Sequence, residues 1–138
     1  MSDEIRLSPD AEQALAAAQD YCYRMNVAIV APEHLLAGAL RVLEEGGHPG
    51  APRSEVVEAA LMSSQGASDE PLTANVMFGS AAREAINFVA AGVRRSGSTE
   101  ITAGHIAAGT ILSGEVGPMF YAALGLSRDG LLKALAGE

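Results

Sequence analysis

"APEHLLAGAL" at residues 31–40 returns at residues 102–111 as "TAGHIAAGTI", with the histidine kept and Gly104 standing where Glu33 stood. Working outward, a forward shift of 71 positions lays residues 7–40 on residues 78–111 without a gap. Ala11 then meets Ala82, Ala14 meets Ala85, Arg24 meets Arg95, His34 meets His105, Ala37 meets Ala108 and Gly38 meets Gly109. Identities count for little in an alanine-rich chain, and the apolar pattern carries more: Leu7 meets Phe78, Leu15 meets Ile86, Cys22 meets Val93, Val30 meets Ile101, and Leu40 meets Ile111. Bulky positions fall on bulky positions, as an internal duplication requires.

Each copy reads as two helices. Ser8 is placed to cap a helix opened by Pro9, and Ala11, Leu15, Ala18, Cys22 and Met25 recur at intervals of three or four, which predicts a helix over 9–25. "NVAIV" is a short extended connection, and Pro32 opens a second helix carrying Leu35, Leu36, Ala39, Leu40 and Leu43. In the second copy Ala82, Ile86, Val89 and Val93 form the stripe, and Thr102 caps a helix running through Leu112. "PRSEVVEAALMSS" closes the first half, while "GPMFYAALG" and a helix from Ser127 to near Gly137 close the second. The expectation is an all-α domain of seven or eight short helices, with repeat one over about 7–64, a solvated linker at 65–73 and repeat two over about 78–136. No segment alternates enough to demand a strand.

Composition bounds the function. Hydrophobic residues make up 49% and charged residues 19%, a globular balance, and with aromatics at only 4% the core must be built from alanine and aliphatic side chains. No secretory signal pattern and no long apolar run occur, so a cytoplasmic protein is expected. A single cysteine, Cys22, excludes an internal disulfide and a multi-cysteine zinc site. The formal charge of -8 opposes non-specific attraction to nucleic acid or anionic lipid. Its distribution is lopsided: residues 1–70 hold 12 acids and 4 bases, residues 71–138 hold 5 of each.

These residues, in this order, resemble the N-terminal domain of the Clp unfoldases, the double Clp repeat of ClpA, ClpB and especially ClpC. "LSPDAEQAL" and "FGSAAREAI" are similar to the family's helix openings, "APEHLLAGAL" and "TAGHIAAGTI" to its Gly-Thr-Glu-His-Leu-Leu motif, and "GPMFYAALGLSRDGLLKAL" to its closing pair; the resemblance spans roughly residues 5–136. Two departures stand out: "EEGGHPGAP" (44–52) replaces a helix of the first half with glycine and proline, and the second motif lacks its glutamate. No G-x-x-x-x-G-K-[ST] motif is present, so the expectation is a free-standing N-domain without ATPase modules, the alternative being the recognition domain of a larger unfoldase.

The resemblance implies a non-enzymatic module with no cofactor and no metal, binding substrates or adaptors for a Clp-type AAA+ unfoldase and its protease. Alternatives are a decoy that sequesters cyclic-peptide toxins aimed at such domains, and a structural oligomerisation domain. In the ClpC branch the matching glutamates recognise phosphoarginine. Glu33 is then a candidate guanidinium acceptor, with the helix start at Ser8 offering amides to the phosphate, or else it only favours its own helix dipole. Asp10 and Glu12 would repel a phosphate near Ser8; Ser80 and Arg83 would welcome one, but Gly104 gives the guanidinium nothing, so at most one such site is expected. Phe78 is either an anchor in an adaptor- or toxin-binding groove or a buried staple onto the following helix. His34 and His105 lack the i+4 partner of a helical metal pair and read as structural, His48 reads as an exposed loop residue, and Gly38 and Gly109 read as sites of close helix approach. No nucleophile elbow, H-E-x-x-H or cysteine–histidine signature supports an enzyme.

Overall fold

Ser8, Pro32 and Thr102 start helices where their chemistry calls for it. A computed structural model describes residues 5–72 and 75–137, and the last residue of the expected linker, Thr73, lies outside them. In the first half β1 (Arg6–Leu7) leads into α1 (Pro9–Met25), then β2 (Ile29–Val30), α2 (Pro32–Glu45) and α3 (Ser54–Gln65). In the second half come β3 (Met77–Phe78), α4 (Ser80–Arg95), β4 (Glu100–Ile101), α5 (Ala103–Leu112), α6 (Pro118–Leu124) and α7 (Arg128–Leu135). The fold is all-α, with seven helices among the described residues.

The Ser8 hydroxyl accepts from the Ala11 amide, and that of Thr102 accepts from the His105 amide at 3.2 Å, so each satisfies an amide that a helix start leaves free. α1 ends at Asn26, whose left-handed backbone (φ 56) closes the last turn. The Asn26 side-chain amide donates to the Ser68 carbonyl and ties the connection after α3 to the end of α1.

Four short strands join the helices without changing the all-α class. Each is two residues long, too short for an alternating pattern to declare itself. Their pairing exchanges the halves: β1 runs parallel to β4, with Leu7 opposite Ile101, and β2 runs parallel to β3, with Val30 opposite Phe78. Under the 71-residue shift β1 becomes β3 and β2 becomes β4, so the two ribbons are each other's counterparts.

The core lies between α1, α2, α4 and α5, lined largely by alanine and leucine, and is capped by α3, α6 and α7. Glycine permits the closest approaches. A Cβ on Gly38 would stand 2.4 Å from the Ala14 carbonyl oxygen in α1, and one on Gly109 2.4 Å from a Val89 methyl in α4. Both are the close contacts expected of these two positions.

Candidate functional site

The repeated motif heads α2 and α5. In both, the histidine at the third helical position turns back, and its Nδ1 accepts from the backbone amide of the residue preceding the helix: Ala31 for His34 at 2.9 Å, Thr102 for His105 at 3.1 Å. In α5 the Thr102 hydroxyl completes a reciprocal pair; in α2 Ala31 has no side-chain acceptor, so only half of the device exists. His34 is buried, its Nε2 meets no partner, and burial pushes its pKa down to about 4. Both histidines serve the backbone. Among the described residues no three His, Cys, Asp or Glu side chains cluster as a metal site.

Glu33, next to His34, is only 8% exposed. One carboxylate oxygen accepts from the amide of Gly117 at 2.8 Å, and Gly117 is the residue that caps α6 without a side chain of its own. The acid of the first motif therefore caps a helix of the second half, a bond between residues 84 positions apart. Gly104 has no such task, and a Cβ there would meet nothing nearer than the Thr102 hydroxyl at 3.6 Å.

Strand register decides which helix starts are neighbours. Because Val30 pairs with Phe78, the start of α2, which carries Glu33, lies beside the start of α4, which carries Ser80 and Arg83. Ser8 stands instead beside the entry to α5, its amide donating to the Ile101 carbonyl at 2.9 Å. The exchange of strands between halves thus aligns the start of α2 with that of α4 and the start of α1 with that of α5, while the hydrogen-bond partner of Glu33 is the Gly117 amide. The two starts also differ in character. Ser8 is buried, its hydroxyl bonds Asp10 as well as the Ala11 amide, and acids occupy the first turn. Ser80 and Arg83 are exposed, Gly79 supplies no cap, and the first turn of α4 has no acid. Phe78 is half-buried and packs against both clusters of the core, while its strand neighbours Met77 and Ile29 are exposed.

Sequence reasoning missed two apolar grooves beside α5. One, of about 290 Å³, runs between α4 and α5 over Val89 and Gly109, with Phe88 (41% exposed) and Leu112 (51% exposed) on its rims. Phe88 had a signal: it falls off the Ala82–Ile86–Val89–Val93 stripe, and an aromatic on the polar side of a helix has nothing of its own chain to pack on. The second, of about 390 Å³, lies between α5 and α7 and includes His48. His48 is half-buried there, its Nδ1 accepting from the Gly50 amide, which corrects the exposed loop position expected of it. Cys22 is fully buried, with burial pushing its thiol up to about 12, the state of an inert structural cysteine. No helix among the described residues is long and apolar enough to cross a membrane.

No protein-family model matches the sequence, and no curated protein is similar to it in sequence. Solved structures do match. The N-terminal domain of the caseinolytic protease associated chaperone ClpD from Arabidopsis thaliana superposes with a TM-score of 0.75 at 17% identity, covering 96% of each chain. A structure from a study of a malarial protein secretion system superposes with a TM-score of 0.65 at 15% identity, covering 96% of this chain and 93% of that one. The chain has the fold of a Clp N-terminal domain.

Proposed function

We propose that this chain is a non-enzymatic protein-binding module that presents substrates or adaptors to a Clp-type AAA+ unfoldase. The observation that carries the reading is the apolar groove between α4 and α5, where Phe88 and Leu112 stay exposed on either side of a floor that is otherwise core. An exposed aliphatic–aromatic cleft on rigid helices suits an extended or loosely folded apolar segment. The test is NMR titration of the labelled chain with a permanently unfolded protein, reduced and carboxymethylated α-lactalbumin. Shifts should follow Phe88, Gly92 and Leu112 and vanish in Phe88→Asp; shifts unaffected by that variant would overturn the reading.

A second reading, recognition of phosphoarginine, is supported by the strand register. The start of α2, with Glu33 at its second position, runs alongside the uncapped, acid-free start of α4, which would offer amides to a phosphate while Glu33 accepts a guanidinium. The guanidinium would have to draw Glu33 from the Gly117 amide. Calorimetric titration with phosphoarginine and with arginine should then give one site, lost in Glu33→Ala and weakened for phosphoarginine alone in Arg83→Glu. Two equal sites, or binding indifferent to both variants, would exclude it. The toxin-decoy and oligomerisation alternatives rest on no further observation.

A further inference from the structure

Under the 71-residue shift, α6 (Pro118–Leu124) answers to residues 47–53 of the first half. Those residues form turns, not a helix, and Gly50 lies so close to α7 that a Cβ would strike the Ala134 carbonyl. α6 packs on α3, with its start bonded to Glu33 of α2, and among the described residues no helix answers to it over α7. Burial records the difference. Glu33, His34, Ala37 and Leu61 are buried, whereas their counterparts Gly104, His105, Ala108 and Leu132 are half-exposed.

What remains is the groove of about 390 Å³ between α5 and α7, walled by Leu43, Ala108, Leu112, Leu132 and Leu135. Its charge is as distinctive as its shape. Among the described residues Lys133 and His48 are the only titratable groups lining it, in a chain of net charge -8. The two grooves on the α1–α2 side are lined by Asp20, Arg41 and Glu45 in one and by Asp10, Glu45 and His48 in the other.

We propose that the α5–α7 groove docks a short helix of a partner protein, apolar on one face with carboxylates beside that face, in the place α6 takes in the other half. The inference rests on the reading of the chain as a protein-binding module and names the partner's chemistry. A helix is the fitting occupant because α3, the counterpart of α7, is covered by one: α6 is seven residues long, packs on α3 and buries Phe120, Tyr121 and Leu124. Carboxylates fit at the α7 edge of the groove, where Lys133 lines it and a lysine would meet Lys133 itself; the opposite edge, at Leu43 and His48, adjoins a pocket lined by Asp10 and Glu45.

The experiment titrates the labelled full chain with two stapled helical peptides that share an apolar face at the α6 spacing, one flanked by glutamates and one by lysines. The glutamate peptide should shift Gly104, Ala108, Leu132 and Ala136. Its affinity should fall about tenfold or more in Gly104→Glu, which puts a carboxylate into the groove at a position with room for it. Lys133→Glu should invert the preference between the peptides, and Phe88→Asp should leave binding intact; matched thermal melts control for folding. Equal affinity for both peptides, absence of binding, or loss in Phe88→Asp alone would overturn the inference. So would a concentration-dependent dimer abolished by Gly104→Glu, which would assign the groove to a second copy. Failure of the unfolded-protein titration at Phe88 with this peptide binding retained would sink the α4–α5 reading and leave this groove standing.

Discussion

α2 and α5 begin from related ten-residue stretches and end in different surroundings. In α2 every residue from Pro32 to Leu40 is buried, whereas in α5 the buried positions are Ala103, Ile106, Ala107, Thr110 and Ile111, the stripe of a helix covered on one side only. α2 is packed between α1, α5 and α3, and α3 is itself backed by α6, whereas α5 meets α7 more sparsely and no helix among the described residues backs α7 as α6 backs α3. A duplicated segment duplicates its own pattern. Which of its faces becomes core depends on what else the chain can bring to it, and an acid such as Glu33 is retained where a helix start arrives to meet it.

Removing the cover tests this comparison most severely. Phe120 is fully buried in α6, and Phe120→Ala should cost about 3–5 kcal/mol in urea unfolding, with amide protection falling first in α3 and α6. A cost under about 1 kcal/mol would mean that the first half holds together without its lid, and the contrast between halves would fail.

Burial by that same crowded environment makes His34 sensitive to acid. With its pKa pushed down to about 4, the folded protein holds the ring neutral while the unfolded chain takes up a proton near pH 6.5. Its contribution is therefore complete above pH 6.5 and is lost as the pH falls toward 4. The loss amounts to at most about 3–4 kcal/mol, from roughly 1.4 kcal/mol per pH unit. Urea midpoints should show the advantage of wild type over His34→Gln shrinking through that window; a constant difference would refute it.

Glycine at the two helix crossings gives a finer comparison. A Cβ on Gly38 meets backbone, the Ala14 carbonyl and the Ala18 amide, which cannot yield without moving α1. A Cβ on Gly109 meets chiefly the Val89 side chain. Gly38→Ala should cost about 2–3 kcal/mol and Gly109→Ala about 1, the overpacking offset in both by alanine's better helix propensity. Equal costs would place the rigidity of the α1–α2 crossing in both halves alike.

Much of this was legible in the sequence because it is local. The limits of α1 follow from Ser8, Pro9 and Asn26, the limits of α5 from Thr102 and the stripe beyond it, and the lost helix of the first half from the glycines and prolines of 44–52. The candidate site was less legible because its geometry is not local. Two-residue strands carry no readable periodicity, yet their register joins the start of α2 to that of α4 and the start of α1 to that of α5. The partner of Glu33 is a backbone amide, which no side-chain pattern could announce.

The smallest expected effect bears most directly on why Gly104 replaces an acid. Glu33→Ala leaves the Gly117 amide without its acceptor and should cost about 1–2 kcal/mol, with faster hydrogen exchange at Gly117. The reciprocal change, Gly104→Glu, restores the acid to the second motif at a position where a side chain meets no obstruction. Under the shift its helix start would be at Gly46, yet the Gly46 amide is already bonded to the Val42 carbonyl at 3.0 Å, closing α2 rather than opening a helix. With no free amide to meet, the new carboxylate should change stability by less than about 0.5 kcal/mol. A gain of 1 kcal/mol or more would mean that residues 46–53 still offer the old helix start, so that the acid could have been lost while its structural use remained. A neutral outcome would mean that helix and acid became dispensable together, leaving Gly104 free to open the α5–α7 groove.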